Sequence, residues 1–134
     1  MNPLAWDYQT WRVVFLIAAL MNFVGAAGAL WRPAQNIKLM YGLENSPDLL
    51  LFLNRWLWWI VLLFGIGYLL IAWEPARFPG IVIMGAVGKA LFAANWIYLR
   101  AHGRATNLVL FPSAWDTVFA LLFLIYLIGG PRLP

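Results

Sequence analysis

The chain has 134 residues, 64% of them hydrophobic and 10% charged, whereas soluble domains sit nearer half apolar and a quarter charged, so a soluble globular protein is excluded. Its net charge of +4 would point to nucleic acid in a soluble protein, but here the basic residues gather at the ends of apolar runs, where anionic lipid headgroups are the expected partner and nucleic acid is not. Zero cysteines exclude disulfides and thiolate chemistry, and one His102 with five scattered acids argues against a protein-only metal centre.

A transmembrane helix needs roughly 20 apolar residues to cross a hydrocarbon core of about 30 Å. The first such run is placed at about 11–31. It contains Ala27-Gly28-Ala29, which resembles a signal cleavage site, but the run is too long and Asp7 offsets Arg12 in what would be a basic leader. A retained helix is therefore expected. Its Ala18, Asn22, Gly25 and Ala29 form a narrow small-residue face that lets another backbone approach.

The loop that follows holds Pro33 to Tyr41 and then Gly42, the signature of a short interfacial helix, with Ile37, Met40 and Tyr41 facing lipid or the bundle and Lys38 facing out. It reads either as a lid or as an ordinary connector. Ser46-Pro47-Asp48 opens the second span, about 49–73, with a cap, an N1 proline and a first-turn acid. Pro79-Gly80 opens the third, about 80–99. Ser113-Ala114-Trp115-Asp116 has capping-box spacing and places the fourth at about 112–130, ended by Gly129-Gly130-Pro131.

The predicted fold is all-α: one domain, a four-helix transmembrane bundle with both termini on one side. Arg12, Arg77 and Arg132 fall on that terminal face, and Arg32, Lys38, Arg100 and Arg104 on the opposite loop face. Three against four leaves orientation open. Trp6, Trp11 and Trp73 near the first face, and Trp31, Trp56, Trp96 and Trp115 near the second, read as interfacial anchors.

Charged residues near a helix centre cost roughly 2.5–3.5 kcal/mol on insertion scales and so turn inward. At 1.5 Å per residue, Lys89 lies about 16 Å from the loop face, too deep to snorkel out. Arg55 lies about 9 Å from that face, with Asn54 beside it, and Asn95, Asp116 and the deeper Asn22 bring in the other helices. Each has a plainer role: Arg55 reaching lipid phosphates, Asp116 completing a cap, the amides serving as interhelical glue. Around the third helix, Lys89, Phe92, Trp96 and Arg100 share one stripe and Asn95, Tyr98 and His102 another. On the second, Asn54, Val61, Gly65 and Tyr68 form one stripe and Arg55, Trp58, Trp59 and Leu62 another.

The expected site is a cavity opening from the loop face, lined by Arg55, Asn54, Asn95, Asp116, Asn22 and the indoles of Trp59 and Trp96, with Lys89 at its floor and a formal charge of +1. It suits a lipid, isoprenoid, sterol-like molecule or quinone with a polar or anionic head. Lys89 is assigned to the anionic group and Asn95 to packing.

Four short helices, the arginine in "NRWLWWIVLLFGIGYL" and the Gly-Lys pair in "GAVGKALF" resemble the DoxX-like group of small integral membrane proteins. The resemblance carries over Arg55 and Gly88-Lys89 as family-like positions. It implies a bacterial inner-membrane protein, and some such proteins are described as membrane subunits associated with quinone-linked oxidoreductases. No cofactor is required by the residues themselves, a quinone being the one candidate.

The leading expectation is thus a non-enzymatic module that binds a lipid-like or quinone-like ligand, or an accessory subunit of a homo-oligomer or larger membrane complex. One alternative is a membrane enzyme, an isomerase or hydrolase, in which Lys89 acts with Asp116 or Arg55. A depth difference of about 10 Å between Lys89 and Asp116 counts against it. Transport lacks the internal repeat expected of it. A purely structural helix-packing subunit predicts that Arg55 and Lys89 each find an acid or a backbone carbonyl without leaving a pocket.

Overall fold

The computed structural model describes residues 6–131. Arg132, counted above on the terminal face, lies outside them. Helix α1 spans Tyr8–Trp31, α2 Pro33–Tyr41, α3 Asp48–Trp73, α4 Pro79–Ala101 and α5 Leu110–Gly129, the last preceded by a 3₁₀ turn over Asn107–Val109. All but α2 are long and apolar enough to cross a membrane, which makes the chain a multi-pass membrane protein. No strand occurs among the described residues.

The ends follow from local chemistry. Asp7 caps α1 by accepting the Thr10 amide at 2.7 Å, so the helix starts a turn before the predicted boundary. That bond holds the Asp7 carboxyl below the usual carboxylate range; with the folded value depressed, the cap contributes above that range and is lost as pH falls through it. Gly42 closes α2 in the left-handed conformation at φ 72°, which a residue without a Cβ adopts at no steric cost.

The start of α5 corrects the sequence reading. Ser113 is not a cap: it lies inside the helix and donates its hydroxyl to the Val109 carbonyl at 2.7 Å. Thr106 is the cap, accepting from the Leu108 amide. Pro112 sits in the first turn of α5, where its missing N–H is not needed.

Two antiparallel pairs make the bundle: α1 lies along α3 and α4 along α5, while the pairs approach each other much less closely. Within the first pair, Arg12 Nε donates to the Ala72 carbonyl at 2.9 Å. A Cβ on Gly65 would stand 2.8 Å from the Phe23 ring, so glycine sets the spacing of α1 and α3. The pairs are joined at the terminal end by an aromatic core. Phe15 stacks on Phe123 with centroids 5.0 Å apart, and Trp11 and Tyr68 meet Tyr126 and Phe123 edge-on. Trp11 is fully buried there and is not an anchor, whereas Trp31 and Trp73 are more than 80% exposed and fit the interfacial role.

At the loop end the pairs are bridged by α2. Ile37 is fully buried, Lys38 faces out and pairs with Glu44, and Tyr41 packs on Trp96. Asn54 Nδ2 donates to Asn36 Oδ1 at 3.4 Å. Thr106 ties down the free carbonyls of α2, its amide bonding the Met40 carbonyl at 2.8 Å and its hydroxyl the Leu39 carbonyl at 2.6 Å. Thr106→Val removes the hydroxyl bond and the cap of the 3₁₀ turn, an expected cost of about 1–2 kcal/mol. Hydrogen exchange should speed up at residues 33–41 and 107–110 and stay unchanged in the terminal half.

Candidate functional site

Where the pairs diverge, a cavity of about 320 Å³ remains between them. Its floor carries a chain of polar contacts that touches all four spans. Lys89 of α4, 6% exposed, donates from Nζ to Asp116 Oδ1 of α5 at 2.6 Å and to Asn22 Oδ1 of α1 at 3.3 Å. Asn22 Nδ2 in turn donates to the Val61 carbonyl of α3 at 2.9 Å. The Tyr68 and Phe119 rings present their faces to the ammonium at 5.6 and 5.9 Å, a favourable placement for a cation in a dry site.

The expected 10 Å mismatch between Lys89 and Asp116 is overturned. Because the last span begins at Asn107, Asp116 lies nine residues inside it, and Lys89 lies twelve residues from Ala101. At 1.5 Å per residue those depths are about 14 and 18 Å, a difference that a lysine stem spans. The anionic group to which Lys89 was assigned is a side chain of this chain.

The walls are aromatic and aliphatic. Trp58, Phe64, Phe92, Trp96 and Trp115 line them, with Met40 of α2 at the top. Gly88 also lines the cavity, and a Cβ built there meets nothing closer than Phe64 at 4.0 Å. Val24, Ile60, Leu108 and Phe111 are wall residues that are also exposed, so the cavity opens sideways through apolar rims.

Of the sequence candidates, Lys89, Asp116, Asn22 and Trp96 come together at this cavity. Asn54 is buried above it against Asn36. Arg55, Trp59 and Asn95 do not join them, for all three are exposed on the outer surfaces of α3 and α4. The cavity's formal charge is therefore zero, Lys89 offsetting Asp116, and not +1. The sequence reading passed over Trp58 as a wall residue and Tyr68 as a partner of the lysine. The stripe of Asn54, Val61, Gly65 and Tyr68 was the available signal, since every member packs inward or nearly so.

The Lys89–Asp116 pair at a cavity floor can do two things. It can offer hydrogen bonds to a polar head entering the cavity, and it can exchange a proton with one. Among the described residues no group of His, Cys, Asp or Glu could hold a metal ion. Compared with family models, with curated proteins and with solved structures, the chain matches none.

Proposed function

We propose that this membrane protein holds a small hydrophobic molecule with an uncharged polar head, a quinone-like ring or an isoprenoid or sterol-like alcohol, in the cavity between its helix pairs. One observation carries the reading: an apolar-walled cavity whose only charged groups among the described residues are Lys89 and Asp116, at its floor. A neutral pair attracts no net charge, so an anionic head loses the advantage that an unpaired lysine would give it. Aromatic walls favour a flat or oily body, and apolar rims favour delivery from the bilayer. The resemblance to DoxX-like proteins enters only through Gly88 and Lys89, which line the cavity.

Native mass spectrometry of the protein extracted from membranes tests this. The wild type is expected to retain such a molecule. Gly88→Leu fills open space in the cavity and should retain at least about tenfold less, a loss of roughly 1.4 kcal/mol, with unchanged circular dichroism. A wild type without any retained molecule, or equal retention by both proteins, refutes the proposal.

A second reading is favoured by the contact at 2.6 Å between Lys89 and Asp116, which brings an acid and a base to one point beside the cavity. In that reading the pair moves a proton on the bound molecule, as in an isomerisation. Incubation with a membrane lipid extract would then convert one component into an isomer of equal mass with a different chromatographic retention time, and Asp116→Asn would abolish the conversion.

A further inference from the structure

The charges on the two ends of the bundle are unequal in a way the structure makes specific. At the terminal end, Arg12 is bonded to the Ala72 carbonyl and Arg77 pairs with Glu74 at 3.0 Å. With Asp7 included, that end is neutral among the described residues. The loop end carries Arg32, Lys38, Arg55, Arg100 and Arg104 against Glu44 and Asp48, a formal +3. Lys38 alone of these cations pairs with an acid. Arg32 and Arg100 bond only the neutral Gln35 and Asn107. Counted as basic residues alone, with Arg55 now added to the loop end, the balance among the described residues is five against two.

Arg55 is the most telling of the five. It stands on the outer side of α3, seven residues inside the helix, with the exposed rings of Phe52, Trp56 and Trp59 around it. That places its Cα about 10 Å inside an apolar span, with no acid paired to it among the described residues. Helical side chains lean toward the helix N-terminus, and α3 begins at the loop end. The guanidinium is therefore directed toward lipid phosphates on that side, with indoles at the depth where they prefer to sit.

We propose that the loop end is the cytoplasmic end, seated on the anionic leaflet, with the Arg55 guanidinium bound to a phospholipid phosphate. Both termini then lie on the opposite side. The positive-inside bias and the negative surface potential of the cytoplasmic leaflet act in the same sense. The inference does not rest on the cavity's occupancy.

Because the chain has no cysteine, single thiols report sidedness without a background. Gly80→Cys, where a Cβ meets open space, marks the terminal end, and Asn45→Cys, exposed in the loop before α3, marks the loop end. In intact cells of a bacterial host a membrane-impermeant maleimide should label Gly80→Cys, and Asn45→Cys only after permeabilisation. The reverse pattern, or equal labelling of both, overturns the orientation. The lipid contact is read separately in nanodiscs of mixed phosphatidylglycerol and phosphatidylcholine. Arg55→Gln should lower the preference for retained phosphatidylglycerol by about fivefold, the worth of one basic contact with an anionic surface. An unchanged preference overturns the assignment of Arg55 to an anionic phospholipid.

Discussion

Replacing Lys89 with methionine is expected to destabilise the bundle by about 3–5 kcal/mol, because it leaves the Asp116 carboxylate buried without its counter-ion. The Lys89 stem is unbranched and methionine nearly matches its length, so the packing against Tyr68 and Phe119 changes little. What is lost is the bond of 2.6 Å to Asp116 and the weaker one to Asn22. Replacing both partners, Lys89→Met with Asp116→Leu, should recover most of the loss, since two well-packed apolar groups often equal or exceed a buried ion pair. The measurement is unfolding in detergent followed by circular dichroism, taken round the full double-mutant cycle. Single costs that simply add would mean that the two residues are not coupled and that Asp116 is satisfied elsewhere.

Gly85→Leu should also destabilise the bundle, through sterics instead of charge. A Cβ at position 85 would stand 2.8 Å from both Cε1 and Oη of Tyr68 and 3.1 Å from Cε2 of Phe123. Those rings are fixed in the aromatic core, Tyr68 and Phe123 being almost wholly buried, so neither can step aside. Overpacking of this kind costs about 1–3 kcal/mol or more, against a gain of only about 1 kcal/mol from replacing glycine in a helix. Gly88→Leu, three residues on, meets open cavity instead. The pair of variants separates the packed core from the cavity along α4: a lower unfolding midpoint with Gly85→Leu, and an unchanged midpoint with lost retention for Gly88→Leu. Equal midpoints for both would show that the core at position 85 is looser than its contacts imply.

How far the sequence could carry this depended on which coordinate was being asked for. Runs of about twenty apolar residues give the number of spans and their depth directly, so the four crossings, the level of Lys89 and the short helix between Pro33 and Gly42 were all readable. Rotation about each axis was harder to read. In a bilayer a leucine facing lipid and one facing a neighbour are equally at ease, so helices apolar all round give little amphipathic signal to pick the inner face. Arg55, Trp59 and Asn95 were read at the right depth and on the wrong side for that reason, while Trp58, one residue from Trp59, turned out to be the cavity wall. Asp116 failed differently. Serine and acid at capping-box spacing placed the start of the last span at residue 112, whereas Thr106 is the residue that caps it. That error of register hid the one contact that defines the site.

The division of the bundle into a ring-packed half and a divergent half has a mechanical consequence. The stacked and edge-on rings between Trp11, Phe15, Phe123 and Tyr126 act as the closed end of a pair of tongs, and the two helical hairpins are its arms. Spreading the arms by a small angle at the pivot widens the space above Lys89 without breaking the ring contacts, and α2, tied across the tips by Thr106, limits the travel. The width of the cavity is thereby tied to a single angle between the hairpins, and the polar floor of Lys89, Asp116 and Asn22 lies beside the fixed end.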